Sequence, residues 1–186
     1  MMTSETEDRR PVLFYGHKRG KYCSFSNFYP SEFRDNQTGL TYCCTEQWLM
    51  HHKATVFGDT AMARLIMASK DPAQIKAYGR RVMGYDDAVW GACREEVMFQ
   101  GLLLKFGQNA DIRAVLLGTG TRPIAEASPT DRIFGIGASA DDPLAQNPDN
   151  WPSMGQSLLS PSLFSLWLSF HILFFATESQ TFWAAR

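Results

Sequence analysis

Between about residues 45 and 118 the chain carries apolar residues at helical spacing, and on either side it carries short apolar runs bounded by turn residues. Thr45 is a suitable N-cap, and Gly58 a suitable stop, for a helix on which Glu46, Leu49, Met50, Lys53 and Phe57 share one side. Asp59 opens a second helix, to about Ser69, with Met62, Leu65 and Ile66 facing inward. Asp71-Pro72 starts a third and Gly79 stops it, because proline suits the first helical position. Asp86 opens the longest, running to Gly107 with an inward stripe of Trp90, Cys93, Val97, Gly101 and Leu104. Asn109 caps a fifth, built on Ile112, Val115 and Leu116 and closed by Gly118.

The expected strands are short. Pro11–Tyr15 reads as one, ending at Gly16. Glu32–Arg34 and Leu40–Tyr42 flank the turn-rich Asp35–Gly39 as a hairpin, which delivers the chain into the Thr45 helix. Pro123–Ala127 and Ile133–Gly137 read as two more, bracketing Ser128-Pro129-Thr130-Asp131. Residues 1–10 read as a disordered lead and 138–156 as a loop, with no internal repeat. From Asn150 to Thr177 there is no charged side chain, and residues 163–176 are dense in Phe, Leu and Trp. That run falls short of the roughly 20 apolar residues a membrane span needs. A buried C-terminal helix is therefore expected, and residues 158–176 are where a tail anchor would lie.

Composition narrows the partners. The 186 residues, 45% hydrophobic and 20% charged, are those of one globular domain. A net charge of -1 offers no electrostatic case for wrapping nucleic acid. Clusters such as Arg9-Arg10, Lys18-Arg19 and Arg80-Arg81 reach a phosphate or two at most. The four cysteines include adjacent Cys43 and Cys44, which on a strand project to opposite faces. His51 and His52 likewise diverge on a helix, and no CxxC or HExxH motif occurs, so neither metal nor cofactor is expected. The first ten residues lack the apolar core of a signal peptide. Free thiols in a cytoplasmic or nuclear compartment follow as the expectation.

Candidate chemistry concentrates on the Thr45 helix. Glu46 lies in its first turn, where the dipole favours a carboxylate, and Lys53 follows two turns later on the same stripe. Sharing that stripe with apolar residues places both at a cavity wall; the plainer alternative is a solvated pair on an amphipathic helix. Asn27, between Phe25 and Phe28, either caps a turn or presents an amide to a ligand. Arg94 either pairs with a glutamate or holds an anion. Glu126 and Asp131 flank one turn. Gly135-Ile136-Gly137 is a weak phosphate signal, since no helix of the right pattern follows it.

Several runs occur in a distinctive order: Phe25-Ser26-Asn27-Phe28-Tyr29, Glu46-Gln47-Trp48 with Lys53-Ala54, Gly79-Arg80-Arg81-Val82, and Trp90 with Arg94 and Met98. Lys105-Phe106, Leu116-Leu117-Gly118-Thr119-Gly120, Glu126-Ala127-Ser128 and Asp131-Arg132-Ile133-Phe134-Gly135-Ile136-Gly137 follow. Together, over about residues 12–156, they resemble the NADAR, or YbiA-like, domain. The resemblance implies a helix-rich, single-domain α+β fold over 11–156 and an intracellular N-glycosidase that uses no cofactor. It implies as substrate an ADP-ribosylated guanine base or a ribosylaminopyrimidine phosphate of riboflavin biosynthesis. Catalysis then falls to Glu46, Asp131 and Lys53, and substrate binding to Asn27, Trp90, Arg94, Glu126, Phe134 and Gly135. A monomer acting on a small nucleotide-like partner, without stable duplex binding, is the corresponding expectation. Residues 157–186 depart from the family, whose members close with a charged amphipathic helix. Gly155-Gln156-Ser157-Leu158-Leu159-Ser160 begins alike and a Ser/Phe-rich tail, uncharged as far as Thr177, follows. Two further classes are a non-catalytic ADP-ribose-binding module and a variant inactivated or membrane-attached through that tail.

Overall fold

In the computed structural model, which describes residues 10–170, the helices of the middle segment gather on α1 (Thr45–Val56). It packs against α2 (Thr60–Ala68), α3 (Pro72–Gly79) and α4 (Asp87–Gln108). Aspartates start three of these helices. Asp59, Asp71 and Asp86 accept from the amides of Met62, Ala73 and Val89, which have no partner within their own helices. α5 (Ala110–Leu117), a short α6 (Trp151–Met154) and a helical run over 159–170 complete the helices among the described residues. The strands are β1 (Val12–Phe14), β2 (Phe33–Arg34), β3 (Thr41–Tyr42) and β4 (Ile124–Glu126), with β1 paired to β4 and β2 to β3. The class is helix-rich α+β, as the resemblance implied. The described residues form two compact units, Phe14–Ile112 and residues 10–13 with 113–170.

In the first unit, β2 and β3 are antiparallel with Phe33 opposite Tyr42 and Arg34 opposite Thr41. The Asp35 carboxylate makes the turn, accepting from the Gln37 and Thr38 amides. Gly39 then takes φ +75°, a conformation that glycine adopts without a Cβ clash. Phe33, Tyr42 and Trp48 form one buried cluster. Cys44, Ala54, Met62, Ile66, Ile75 and Val82 form another. Gly58 ends α1 at φ +69°, as expected.

In the second unit, the Val12 amide donates to the Pro123 carbonyl at 2.7 Å. Ala125, Ala127, Ile136, Ala138, Ala145 and Trp151 supply the core. The run 138–156 contains two 3-10 turns, Pro143–Gln146 and Pro148–Asn150, besides α6. Leu159, Leu163, Leu166 and Trp167 are buried, and the Trp167 indole donates to the Leu117 carbonyl. The C-terminal helix is therefore packed over its described length, and residues 171–176 of the expected segment lie outside the described residues, as do 1–9 of the expected lead. No helix among the described residues is long and apolar enough to cross a membrane.

Several local expectations are corrected. The N-cap of α1 is Cys44, one residue early, with no side-chain cap, and Thr45 is the first helical residue. Leu65 faces outward at 45% exposure. On α4 the fully buried line is Met98, Leu102, Lys105 and Phe106, while Cys93, Val97 and Leu104 are half-buried. Asn109 donates to the Lys105 carbonyl and so finishes α4, where the sequence suggested an opening cap for α5. Gly79 is the last residue of α3, but packing rather than a turn requires it: a Cβ there would lie 2.0 Å from Met50 Sδ. Ile133–Gly137 is not a strand; the Asp131 carboxylate folds it into an irregular loop.

Candidate functional site

α1 begins in a buried polar setting. Glu46 is 4% exposed in its first turn, and its backbone amide donates to the Asn27 carbonyl at 2.9 Å. Three side-chain oxygens in this unit, Ser24 Oγ, Asn27 Oδ1 and Thr45 Oγ1, are buried without a hydrogen-bond partner among the described residues. Buried polar groups in folded proteins are nearly always partnered, because each unpartnered one costs about 1–3 kcal/mol. Asn27 sits where it does because Ser26 is held on one side and Glu46 on the other: Lys105 Nζ donates to the Ser26 carbonyl at 2.9 Å.

Lys53 lies two turns along α1. Its Nζ sits 4.0 Å from the centroid of the Tyr85 ring, a cation–π arrangement. The Tyr85 hydroxyl donates to Asp87 Oδ1 at 2.6 Å, and Arg94 Nη1 lies 3.9 Å from that same oxygen. Ammonium, phenol, carboxylate and guanidinium thus run in sequence across α1 and α4. Burial pulls the Lys53 ammonium below its ordinary range, while the charges of Asp87 and Glu46 oppose that shift. The phenol of Tyr85 is raised because it donates to Asp87. A lysine in this position can donate a proton to a basic atom or, once deprotonated, act as a nucleophile toward an electrophilic carbon.

Asn27, Glu46, Lys53, Trp90 and Arg94 all belong to the Phe14–Ile112 unit. Trp90 is 5% exposed. Arg94 is one-eighth exposed at its side chain and already faces Asp87; a ligand phosphate would exchange with that carboxylate. Glu126, Asp131, Phe134 and Gly135 belong to the other unit and share one loop. There Asp131 Oδ1 accepts from Ile133 and Phe134, each at 3.0 Å, and the Ile136 amide donates to the Glu126 carbonyl. Gly135 is there for space: a Cβ would come within 2.8 Å of the Asp131 carbonyl oxygen and 2.9 Å of that of Glu126.

Tyr85 and Asp87 were not singled out from the sequence, and Lys105 entered only through the Lys105-Phe106 motif, with no role attached. Tyr85-Asp86-Asp87 at the start of a helix bearing Arg94 was the available signal, and it was read only for the Asp86 cap. No group of three or more His, Cys, Asp or Glu side chains among the described residues is placed to hold a metal ion.

Comparison with known proteins places this geometry in context. The sequence profile of the NADAR domain matches residues 13–165. A protein of Acanthamoeba polyphaga mimivirus named as an N-glycosidase is 34% identical over 165 residues, spanning 86% of this chain and 96% of the relative. A second protein named as an N-glycosidase, from Nostoc punctiforme, is 34% identical over 118 residues, spanning 63% of this chain and 74% of the relative. The NMR structure of the E. coli protein YbiA superposes with a TM-score of 0.68 at 22% identity, covering 88% of this chain and 87% of YbiA.

Proposed function

The chain belongs to the NADAR domain family, and we propose that it cleaves the N-glycosidic bond of a nucleotide-like substrate with Glu46, Asn27 and Lys53. It is a hydrolase acting on N-glycosyl bonds. The observation that carries the residue assignment is the buried Glu46 carboxylate at the start of α1, beside an Asn27 Oδ1 that has no partner among the described residues.

Breaking an N-glycoside develops positive charge on the sugar and negative charge on the departing base. In the proposed mechanism the Glu46 carboxylate faces the oxocarbenium-like sugar and takes a proton from the attacking water. The Asn27 carboxamide accepts a hydrogen bond from a sugar hydroxyl or a base amine, meeting an acceptor that is unpaired among the described residues. Lys53, its proton loosened by burial, passes that proton to the leaving nitrogen. Arg94 engages a substrate phosphate in exchange for Asp87. The substrate class is a ribose linked through nitrogen to a heterocycle and carrying phosphate. An ADP-ribosylated guanine base and a ribosylaminopyrimidine phosphate both fit that description.

The test is release of free base from ADP-ribosylated guanosine and from a ribosylaminopyrimidine phosphate, with Glu46→Gln in parallel. Release from one of them, reduced at least about 100-fold in the variant, is the expected result. Tight binding with no release by either protein would sink the reading and leave a binding module in its place.

A further inference from the structure

Cys43 and Cys44 sit at the junction of β3 and α1, next to the proposed site but outside it. On an extended strand their side chains would diverge. Here the chain bends out of β3 into the helix, and the two Sγ atoms lie 3.9 Å apart, which corrects the sequence-based expectation of opposite faces. The pair is asymmetric. Cys43 is half-buried, whereas Cys44 is 1% exposed and packs into the cluster of Ala54, Met62, Ile66, Ile75 and Val82. The hydrogen bond between the two Sγ atoms pulls the Cys43 thiol below its ordinary range, with Lys70 adding to the effect, and the same bond, together with burial, pushes Cys44 up. The half-buried sulfur is thus the more readily ionised and its buried neighbour the less so, the arrangement of an attacking and a resolving cysteine.

The surroundings tie this pair to α1. The Cys43 amide donates to Gln47 Oε1 at 2.8 Å. Gln47 Nε2 in turn donates to the carbonyls of Ile66, Met67 and Ser69. The Cys44 carbonyl accepts from the Trp48 amide, and two residues beyond Cys44 the Glu46 amide donates to Asn27. Bonding the sulfurs means bringing them from 3.9 Å to about 2.0 Å, a movement of about 1.9 Å. The two Cα atoms are held about 3.8 Å apart by their shared peptide, closer than the roughly 4.4–6.8 Å of ordinary disulfides. Closure therefore twists the Cys43–Cys44 backbone and disturbs the first turn of α1. A strained disulfide of this kind is easily reduced, so it is suited to reversible change rather than to structural reinforcement.

We propose that Cys43–Cys44 is a peroxide-oxidisable dithiol whose closure as a vicinal disulfide releases the Glu46–Asn27 contact. The Cys43 thiolate takes one oxygen of hydrogen peroxide: the S–O bond forms, the O–O bond breaks, and hydroxide leaves. The Cys44 thiol then attacks the sulfenic sulfur; the S–S bond forms, the S–O bond breaks, and the oxygen departs as water with the Cys44 proton. The two thiols lose two electrons and the peroxide gains them. A dithiol reductant returns both thiols. Formation of the disulfide is independent of the proposed glycosidase reading, whereas its effect on turnover rests on that reading.

The experiment treats the reduced full chain with equimolar hydrogen peroxide and follows intact mass, peptide mapping and amide exchange at Glu46. The expected result is loss of two hydrogens mapped to the Cys43–Cys44 peptide, faster exchange of the Glu46 amide, and recovery of both with dithiothreitol. Cys44→Ala should instead gain one oxygen at Cys43 that dimedone traps, and Cys43→Ser should do neither while keeping its basal base release. Base release by wild type should fall at least tenfold on oxidation and return on reduction. Oxidation at Cys23 or Cys93 with Cys43 untouched, or a disulfide that leaves Glu46 exchange unchanged, would overturn the proposal. Absence of base release from the reduced chain would count against the glycosidase reading alone, because mass and exchange still report on the thiols.

Discussion

Lys105 donates from Nζ to the Ser26 carbonyl at 2.9 Å with no side-chain surface exposed. Its ammonium also lies 5.3 Å from the Phe106 ring and 5.8 Å from that of Tyr29. This lysine, far along α4 in sequence, props the segment whose next residue is Asn27. Its burial pulls its pKa down to about 7 from 10.5. Between those values the unfolded chain binds a proton that the folded chain does not. Stability from this group therefore rises as pH climbs from about 7 to 10.5, by up to about 1.4 kcal/mol per pH unit, and is flat below about 7. Urea titrations of wild type and Lys105→Met should show their stability difference shift in favour of wild type over that window; a difference independent of pH would contradict the buried titration.

Asn27→Ala tests the amide without touching the backbone carbonyl that receives the Glu46 N–H. Removing a buried acceptor that has no partner among the described residues should leave thermal stability equal or higher. Base release should nevertheless drop about 10–100-fold in kcat/KM, the worth of one or two lost substrate hydrogen bonds. A stability loss without an activity loss would make Asn27 a structural residue.

Asp87→Asn removes a negative charge that favours the Lys53 ammonium. The Lys53 pKa should fall further below its already lowered position, readable from the side-chain Cε resonance in an NMR pH titration. The alkaline limb of the base-release profile should move to lower pH with it. An unmoved limb would remove Lys53 from the proton-transfer step.

Two glycines are occupied by neighbouring side chains, and their substitutions should differ. A Cβ on Gly101 would meet Trp48 Cδ1 at 2.5 Å, and the indole cannot withdraw because its Nε1 donates to the Val97 carbonyl at 2.7 Å. At Gly79 the obstacle is the thioether of Met50, which can change rotamer. Gly101→Ala should cost about 1–3 kcal/mol by chemical denaturation. Gly79→Ala should cost less, and less still when it is introduced into, and measured against, Met50→Ala. Equal penalties would contradict the rigid-versus-flexible distinction.

The helices and the hairpin were legible in the sequence because their signals are local. Asp59, Asp71 and Asp86 act on amides two or three residues away, Asp71-Pro72 sets its own backbone, and the Asp35–Gly39 turn closes within five residues. The family is likewise carried by the order of short motifs. The Glu46–Lys53 stripe followed from helical periodicity alone, and the structure places both on α1 as that periodicity requires.

Orientation between elements was decided only in three dimensions. Leu65 points outward and Met98, Leu102, Lys105 and Phe106 inward because α1 and the Phe25–Tyr29 segment, distant in sequence, choose which face of a helix to cover. Tyr85 and Asp87 entered the candidate site because α4 lies against α1 and brings them to Lys53. The Cys43 and Cys44 sulfurs meet because the chain bends at that point, where periodicity alone implies a straight strand. Periodicity specifies angles about one element's own axis; burial depends on what the rest of the chain lays against it.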